Sequence, residues 1–369
     1  MLLVQASRDA LLKPLTTVVG IVERRHTLPI LANILLRKEG SRVSFIATDL
    51  EVQITTHADF GVGDDMVSTT VAARKLLDIL RALPGSGEVS LSLEDGKLLI
   101  QSGRSRFALQ TMDAGDFPTL AQPAQWDVSF ALEQKALKHL LNTVHFAMAQ
   151  QDIRYYLNGM LFVFEPGLLR TVATDGHRLA HHATEAQGID NKQDVIVPRK
   201  TVLEMQRLLD DSESPVQIEV AANQMRFYFD GVELITKLVE GKFPDYTRVI
   251  PTSYTRHFVM NREALQGCLQ RAAILTTDKL RGVRIQLGEN QMKISASNAE
   301  QEEAREELEV DYAYESLDVG FNVSYLLDVL ANTKTQDVRW SVQPDSNASV
   351  LVTLPEEDAF KYVVMPMRI

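Results

Sequence analysis

Ser7-Arg8-Asp9-Ala10-Leu11-Leu12, Glu133-Gln134-Lys135-Ala136-Leu137-Lys138 and Asn261-Arg262-Glu263-Ala264-Leu265-Gln266 are three openings of one kind. Each follows a short strand-like run (2–5, 128–132, 257–260) and starts an amphipathic helix, and Leu11, Leu137 and Leu265 lie 126 and 128 residues apart. Ser7 and Asn261 suit a helix N-cap, whereas Glu133 is a poorer one. Two further landmarks keep the spacing. Thr48-Asp49, Thr174-Asp175 and Ser297-Asn298 each end a β-like run in a polar residue suited to a turn, with positions 49, 175 and 298 separated by 126 and 123. A second helix pattern holds Leu77, Leu203 and Leu327, 126 and 124 apart. Self-similarity at a fixed period marks a repeat architecture, and a third of 369 residues is 123.

Between the helix patterns, the runs 88–92, 97–101, 106–111, 216–220, 225–229, 291–296 and 349–354 alternate or are β-branched, several separated by Gly or Asp-Gly turns. Each third therefore reads as two helices with antiparallel strands, and the chain as a pseudo-threefold α+β protein. Proline and polar residues at 118–124 and 251–254 mark linkers. The expected domains are 1–124, 125–253 and 254–369.

Composition bounds the function. Hydrophobic residues are 45% and charged residues 24%, which excludes a disordered or fibrous chain. No apolar run approaches the roughly 20 residues that span a bilayer, and the N-terminus does not read as a secretory signal, so a cytoplasmic location is expected. The single cysteine, Cys268, excludes an intrachain disulfide framework or a multi-cysteine metal site and reads as a packed small side chain. The formal charge of -11 argues against wrapping nucleic acid tightly. Segregation alters that argument. Helix patterns carry Arg8, Lys13, Arg74, Lys75, Arg81, Lys135, Lys138, Arg199, Lys200, Arg207, Arg262 and Arg271, while acidic residues crowd 300–309. Such a chain can present one basic surface, although ordinary solvated helix faces give the same pattern.

Two stretches invite chemistry. Gln150-Gln151-Asp152-Ile153-Arg154-Tyr155-Tyr156 sets a cation and two aromatics beside amides, a combination able to stack on bases and touch phosphates; equally, one of the tyrosines is expected to open the strand that follows. Thr174-Asp175-Gly176-His177-Arg178-Leu179 allows an enzymatic reading in which Asp175 orients His177 as a general base. No nucleophile motif, phosphate-cradling loop or metal-spaced histidine cluster accompanies it, so catalysis, cofactors and metals are not expected.

Four motifs in order carry a resemblance: Arg154-Tyr155-Tyr156-Leu157-Asn158-Gly159-Met160-Leu161, Ala173-Thr174-Asp175-Gly176-His177-Arg178-Leu179-Ala180, Gly241-Lys242-Phe243-Pro244-Asp245-Tyr246 and Tyr362-Val363-Val364-Met365-Pro366-Met367-Arg368. Together they resemble, over the whole chain, the bacterial β sliding clamps, the processivity subunits of DNA polymerase III. The resemblance implies a non-catalytic ring of two chains around duplex DNA, helices lining the hole and sheets outside, needing only weak, screened phosphate contacts to slide. It implies partners: double-stranded and primed DNA, a second copy, the polymerase III catalytic subunit, the clamp loader, and other polymerases and repair proteins. A clamp-like paralogue that sequesters partners or confers inhibitor resistance would share these features.

Residue by residue, the resemblance assigns DNA contacts to Arg25, Gln151, Arg154, Tyr155 and Tyr156, with Arg24 as an added cation. It implies a peptide groove of Leu157, Thr174, Gly176, His177, Arg178, Leu179, Pro244, Arg248, Val249, Asn322, Tyr325, Ser349, Val363, Val364, Met365, Pro366, Met367 and Arg368, an adaptable apolar trough in which Arg178, Arg248 and Asn322 fix polar groups. At the ring interface, Phe107 and Leu109 meet Ile274 and Leu275, with Lys75, Lys97, Arg104 and Arg106 near Glu300, Glu302, Glu303 and Glu306. Arg305 departs from the family's acidic pattern and is expected to weaken one ion pair.

Overall fold

The computed structural model describes residues 1–23, 27–85, 87–277 and 281–369. Among them the six helices fall where the repeat places them: α1 (Arg8–Val19), α2 (Ala73–Ala82), α3 (Gln134–Val144), α4 (Arg199–Leu208), α5 (Arg262–Ala273) and α6 (Val323–Ala331). The cap residues behave as their chemistry dictates. Ser7 accepts from the Ala10 N–H and Asn261 from the Ala264 N–H, at 3.2 and 2.9 Å. Glu133 instead ends a strand, and the first N–H groups of α3, on Gln134 and Lys135, donate to the carbonyls of Ser214 and Ser212.

The turn landmark repeats atom by atom. The Asp49 carboxylate accepts from the N–H groups of Glu51 and Val52, and that of Asp175 accepts from those of His177 and Arg178. Thr48 and Thr174 donate to the carbonyls of Val52 and Arg178. In the third repeat Asn298 accepts from the Glu302 N–H. Leu50 and Gly176, 126 residues apart, both take positive φ, 78° and 92°.

Two compact units form: 1–135 with 203–238, and 136–202 with 239–369. In the first, α1 packs on α2 and a twelve-stranded sheet takes eight strands from the first third and Val128–Glu133, Pro215–Val220, Gln224–Phe229 and Val232–Lys237 from the middle third. Antiparallel pairing of Val52–Asp59 with Val232–Lys237 makes the join. In the second, α5 packs on α6. An eight-stranded sheet joins the middle and final thirds where Arg178–Glu185 pairs with Glu357–Val364, and a separate sheet orders Glu303–Glu309, Gln291–Ser297, Gly282–Gly288 and Leu317–Asn322. The compact units thus cut across the sequence thirds, because sheets shared between repeats hide strand edges that would otherwise stand open.

Most alternating runs supply one buried face, whereas Ser105–Met112 and Glu303–Glu309 bury none of their residues. Phe258, Tyr312, Phe321 and Trp340 stack edge-on or tilted in the last third, with ring centroids 5.3 to 6.3 Å apart. Cys268 is buried in α5, where burial pushes its thiol pKa up, in keeping with a packed side chain. No helix among the described residues is long and apolar enough to cross a membrane. Asn261→Ala should remove the α5 cap and cost about 1 kcal/mol, read as a lower urea midpoint for the second unit. An unchanged midpoint would show that the cap contributes nothing there.

Candidate functional site

The site grows from the turn after the strand Leu168–Thr174. Gly176 suits the turn on two counts: its φ is left-handed, and a Cβ would stand 3.1 Å from the Arg154 guanidinium. The turn hands the chain to Arg178, whose side chain is only 10% exposed. Its Nε donates to Asp175 at 3.0 Å, one terminal nitrogen to Asp328 on α6 at 2.5 Å and the other to the Phe146 carbonyl at 2.7 Å. Its plane lies 4.5 Å from the Tyr325 ring centroid. Three of its five N–H groups are committed inside the chain, so Arg178 braces the wall.

Beside this brace lies a cavity of about 220 Å³, lined by Arg154, Leu157, Thr174, Gly176, Arg178, Leu179, Phe243, Pro244, Tyr246, Val249, Val363 and Met365. Nine residues of the expected groove are among them. Phe243 and Tyr246 were visible only as parts of a motif, and Arg154 had been assigned to DNA. Leu157, Leu179, Phe243 and Val363 also belong to the hydrophobic core beneath the floor.

The remaining expected groove residues lie around the cavity or away from it. His177 stacks on Tyr325 at 6.3 Å, and its carbonyl accepts from the Met365 N–H, which steers the tail to the rim. Tyr325 accepts at its carbonyl from the Tyr362 hydroxyl. Arg248 is exposed and pairs with Asp245 at 2.9 Å. Asn322 caps α6 through the Ser324 N–H, and Ser349 accepts from the Tyr254 hydroxyl. Val364 is a core strand residue and Pro366 is half-buried. Met367 and Arg368 line a different cavity of about 820 Å³ along the Gly282–Gly288 strand.

The dyad reading fails on geometry. One Asp175 oxygen takes the backbone N–H groups of His177 and Arg178, and the other takes the Arg178 guanidinium; the His177 ring lies against Tyr325.

In the loop before Leu157, Asn158 cinches Asp152 through both its backbone N–H and its carbonyl. Gln151, at φ 54°, is exposed, as are Arg154 and Tyr155. Arg154 pairs with Asp152 through two nitrogens, and hydrogen bonds from Arg154 lower the Asp152 pKa to about 2. Neither tyrosine opens a strand: both lie in the 3₁₀ turn Tyr155–Leu157, the strand begins at Gly159, and Tyr156 packs against the core beneath the cavity. Arg24 and Arg25 lie outside the described residues.

Several helix-borne cations have structural partners. Arg74 donates to the Val22 carbonyl, Arg207 to those of Thr16 and Thr17, and Arg262 to those of Thr335 and Leu330. The charge segregation read in sequence is thus partly a bracing pattern.

The expected interface residues sit on two strand edges. Ser105–Met112 pairs along its length with Lys97–Ser102, but with Met66–Ala72 only at Thr111 and Met112. Phe107 on it is exposed, Leu109 is half-buried, and Lys75, Lys97, Arg104 and Arg106 are exposed. Glu303–Glu309 is an edge strand of its sheet. Near it Ile274 is 76% exposed and Leu275 half-buried. Glu306 is held by Arg271, Glu303 pairs with Arg305 at 2.7 Å, Glu302 bonds Asn298, and Glu300 is exposed. Two of the four acids expected to attract cations across the interface therefore have cations in their own chain.

The fold is thus a repeat scaffold that carries a small apolar cavity beside a braced turn. Models of the DNA polymerase III beta subunit match the chain in order: the N-terminal domain on residues 2–121, the central domain on 131–245 and the C-terminal domain on 247–368. The chain is 46% identical over 363 residues to the beta sliding clamp of Pseudomonas aeruginosa and 44% identical over 362 residues to that of Escherichia coli, each match covering 98% of both chains. A crystal structure of the Pseudomonas aeruginosa sliding clamp bound to griselimycin superposes with a TM-score of 0.95, at 46% identity and full coverage of both chains. The chain belongs to the DNA polymerase III beta subunit family, the β sliding clamps. It is a DNA sliding clamp, a non-catalytic processivity subunit whose partners are DNA and polymerase.

Gly176→Ala should strain the turn and push on Arg154, lowering stability by roughly 1–2 kcal/mol. Hydrogen exchange should rise at residues 176–178; unchanged exchange would mean that the turn absorbs a side chain as position 50 does.

Proposed function

We propose that two copies of this chain close into a ring around duplex DNA, as three domains per chain (1–124, 125–253, 254–369), and that the cavity beside Arg178 receives a short apolar peptide segment. Such segments would be carried by the replicative polymerase, the clamp loader, and repair or translesion polymerases. The observation that carries the docking reading is the cavity itself: apolar walls from Leu157, Leu179, Val249 and Val363, a methionine at the rim and a guanidinium brace behind. Bulky apolar side chains would bury there while the thioether of Met365 adapts to each partner.

Ring closure would pair the open part of the 105–112 edge with the 303–309 edge of a second copy. Unpaired backbone on both sides favours strand addition, and the exposed Phe107 and Ile274 supply apolar contact. A head-to-tail contact of this kind closes after two copies if the rotation allows it. In-chain pairing of Glu303 and Glu306 shifts the load toward these apolar contacts and the backbone ladder. Gln151, Arg154, Tyr155 and Tyr156, with Arg24 and Arg25, would touch the DNA backbone.

Fluorescence anisotropy with a labelled peptide bearing the polymerase's terminal clamp-binding motif tests the groove: a Pro244→Ala, Met365→Ala variant should bind at least about tenfold more weakly. Equal binding by variant and parent would remove the cavity from docking. Ile274→Ala with Leu275→Ala should convert dimer to monomer by light scattering, and a persistent dimer would place the interface elsewhere. Gln151→Ala with Arg154→Ala should weaken DNA binding uniformly across sequences and flatten its salt dependence. An unchanged salt slope would dismiss the phosphate assignment.

A further inference from the structure

Away from the groove, His139 on α3, His182 on the strand Arg178–Glu185 and Glu357 at the start of Glu357–Val364 bring their ligating atoms within 4.8 Å of one another. Glu357 Oε1 lies 2.6 Å from His139 Nε2 and 2.9 Å from His182 Nε2, so one carboxylate oxygen faces two imidazole nitrogens. The rings meet edge to face, centroids 5.1 Å apart, which points their nitrogens at a common centre instead of stacking them.

The surroundings orient one ligand. His182 is buried, and its Nδ1 lies 2.7 Å from the Thr143 hydroxyl, which is itself 2.9 Å from the His139 carbonyl one turn earlier on α3. Both Nε2 atoms lie within hydrogen-bond distance of Glu357 in the metal-free chain; with the Thr143 proton on the His139 carbonyl, the Thr143 oxygen can accept from His182 Nδ1–H, which frees Nε2 to bind a metal. In the metal-free chain a proton fills the 2.9 Å gap between His182 Nε2 and the carboxylate, and a metal ion can take its place. An imidazole held through its second nitrogen while the first faces a carboxylate is the way metal-bound histidines are positioned.

We propose that His139, His182 and Glu357 form a site for a divalent transition-metal ion of the zinc class, with Thr143 as the positioning residue for His182. Two nitrogen donors and one oxygen suit zinc or cobalt; magnesium and calcium require more oxygens. Zinc–ligand bonds of about 2.0–2.2 Å put tetrahedral donors roughly 3.3 Å apart, so the ion fits once the two imidazole–carboxylate contacts open by about half an ångström. His139, about half exposed, provides that movement and the entry path, and a fourth position remains for water. Bound there, the ion would tie α3 to a strand 218 residues later, reinforcing the side-chain bond already between them.

Equilibrium dialysis of the full chain against zinc chloride, with cobalt absorption as a second readout, tests the site. The expected result is one equivalent of zinc per chain with a dissociation constant of micromolar order, and a tetrahedral cobalt spectrum. His139→Ala and Glu357→Gln should each lose both signals, while His57→Ala, a histidine on the other unit paired with Ser44, should retain them. Thr143→Val should weaken binding about tenfold with the cobalt spectrum preserved. Absence of stoichiometric zinc binding, or binding that survives both His139→Ala and Glu357→Gln, would overturn the proposal. Circular dichroism of each variant separates loss of the site from loss of the fold.

Discussion

The buried guanidinium of Arg178 is the joint on which the second unit depends. One side chain fixes the turn at Asp175, the 3₁₀ turn His145–Ala147 through the Phe146 carbonyl and helix α6 through Asp328, so two turns and a helix from two repeats share a single cation. Desolvating an arginine is costly, and the cost is offset only because two carboxylates, a carbonyl and an aromatic face surround it. Without it, Asp175 would keep its backbone partners but lose its charge partner. The groove wall is therefore a by-product of the same interaction that holds the middle repeat to the last.

Sheet sharing is the second constraint. The middle repeat has no sheet of its own: its strands extend sheets built by the first and third repeats. Short bridges cover further edges, with Val4 against Gly61, Ile196 against Val239 and Gly320 against Met367. Against that background, part of Ser105–Met112 and the outer side of Glu303–Glu309 remain open strand edges within the chain. Charge alone would not have singled them out, since Arg271 and Arg305 already satisfy two of the acids.

Much of this was legible in the amino-acid order. Helix positions followed from leucine spacing, caps from Ser7 and Asn261, and the recurring turn from Thr-Asp at 48–49 and 174–175, because these features depend on neighbours within a few residues. Strand partners across repeats were not, since the pairing of Arg178–Glu185 with Glu357–Val364 depends on contacts almost two hundred residues apart. The same distance hid the His139, His182 and Glu357 cluster, since no short spacing joins them. Arg178 was legible as a groove residue, but its bracing contacts were not, because the two carboxylates that hold it come from different repeats. The basic helices suggested a DNA-facing surface, while several of those cations cap helix ends or brace loops.

The cavity floor has a consequence for any inhibitor aimed at it. Leu157, Leu179, Phe243 and Val363 are groove lining and interior packing at once. Trimming one of these side chains to evade a bound compound would open a void in the core, at a cost of about 2–5 kcal/mol. A compound that rests on them confronts a target whose routes to resistance run through its own folding stability.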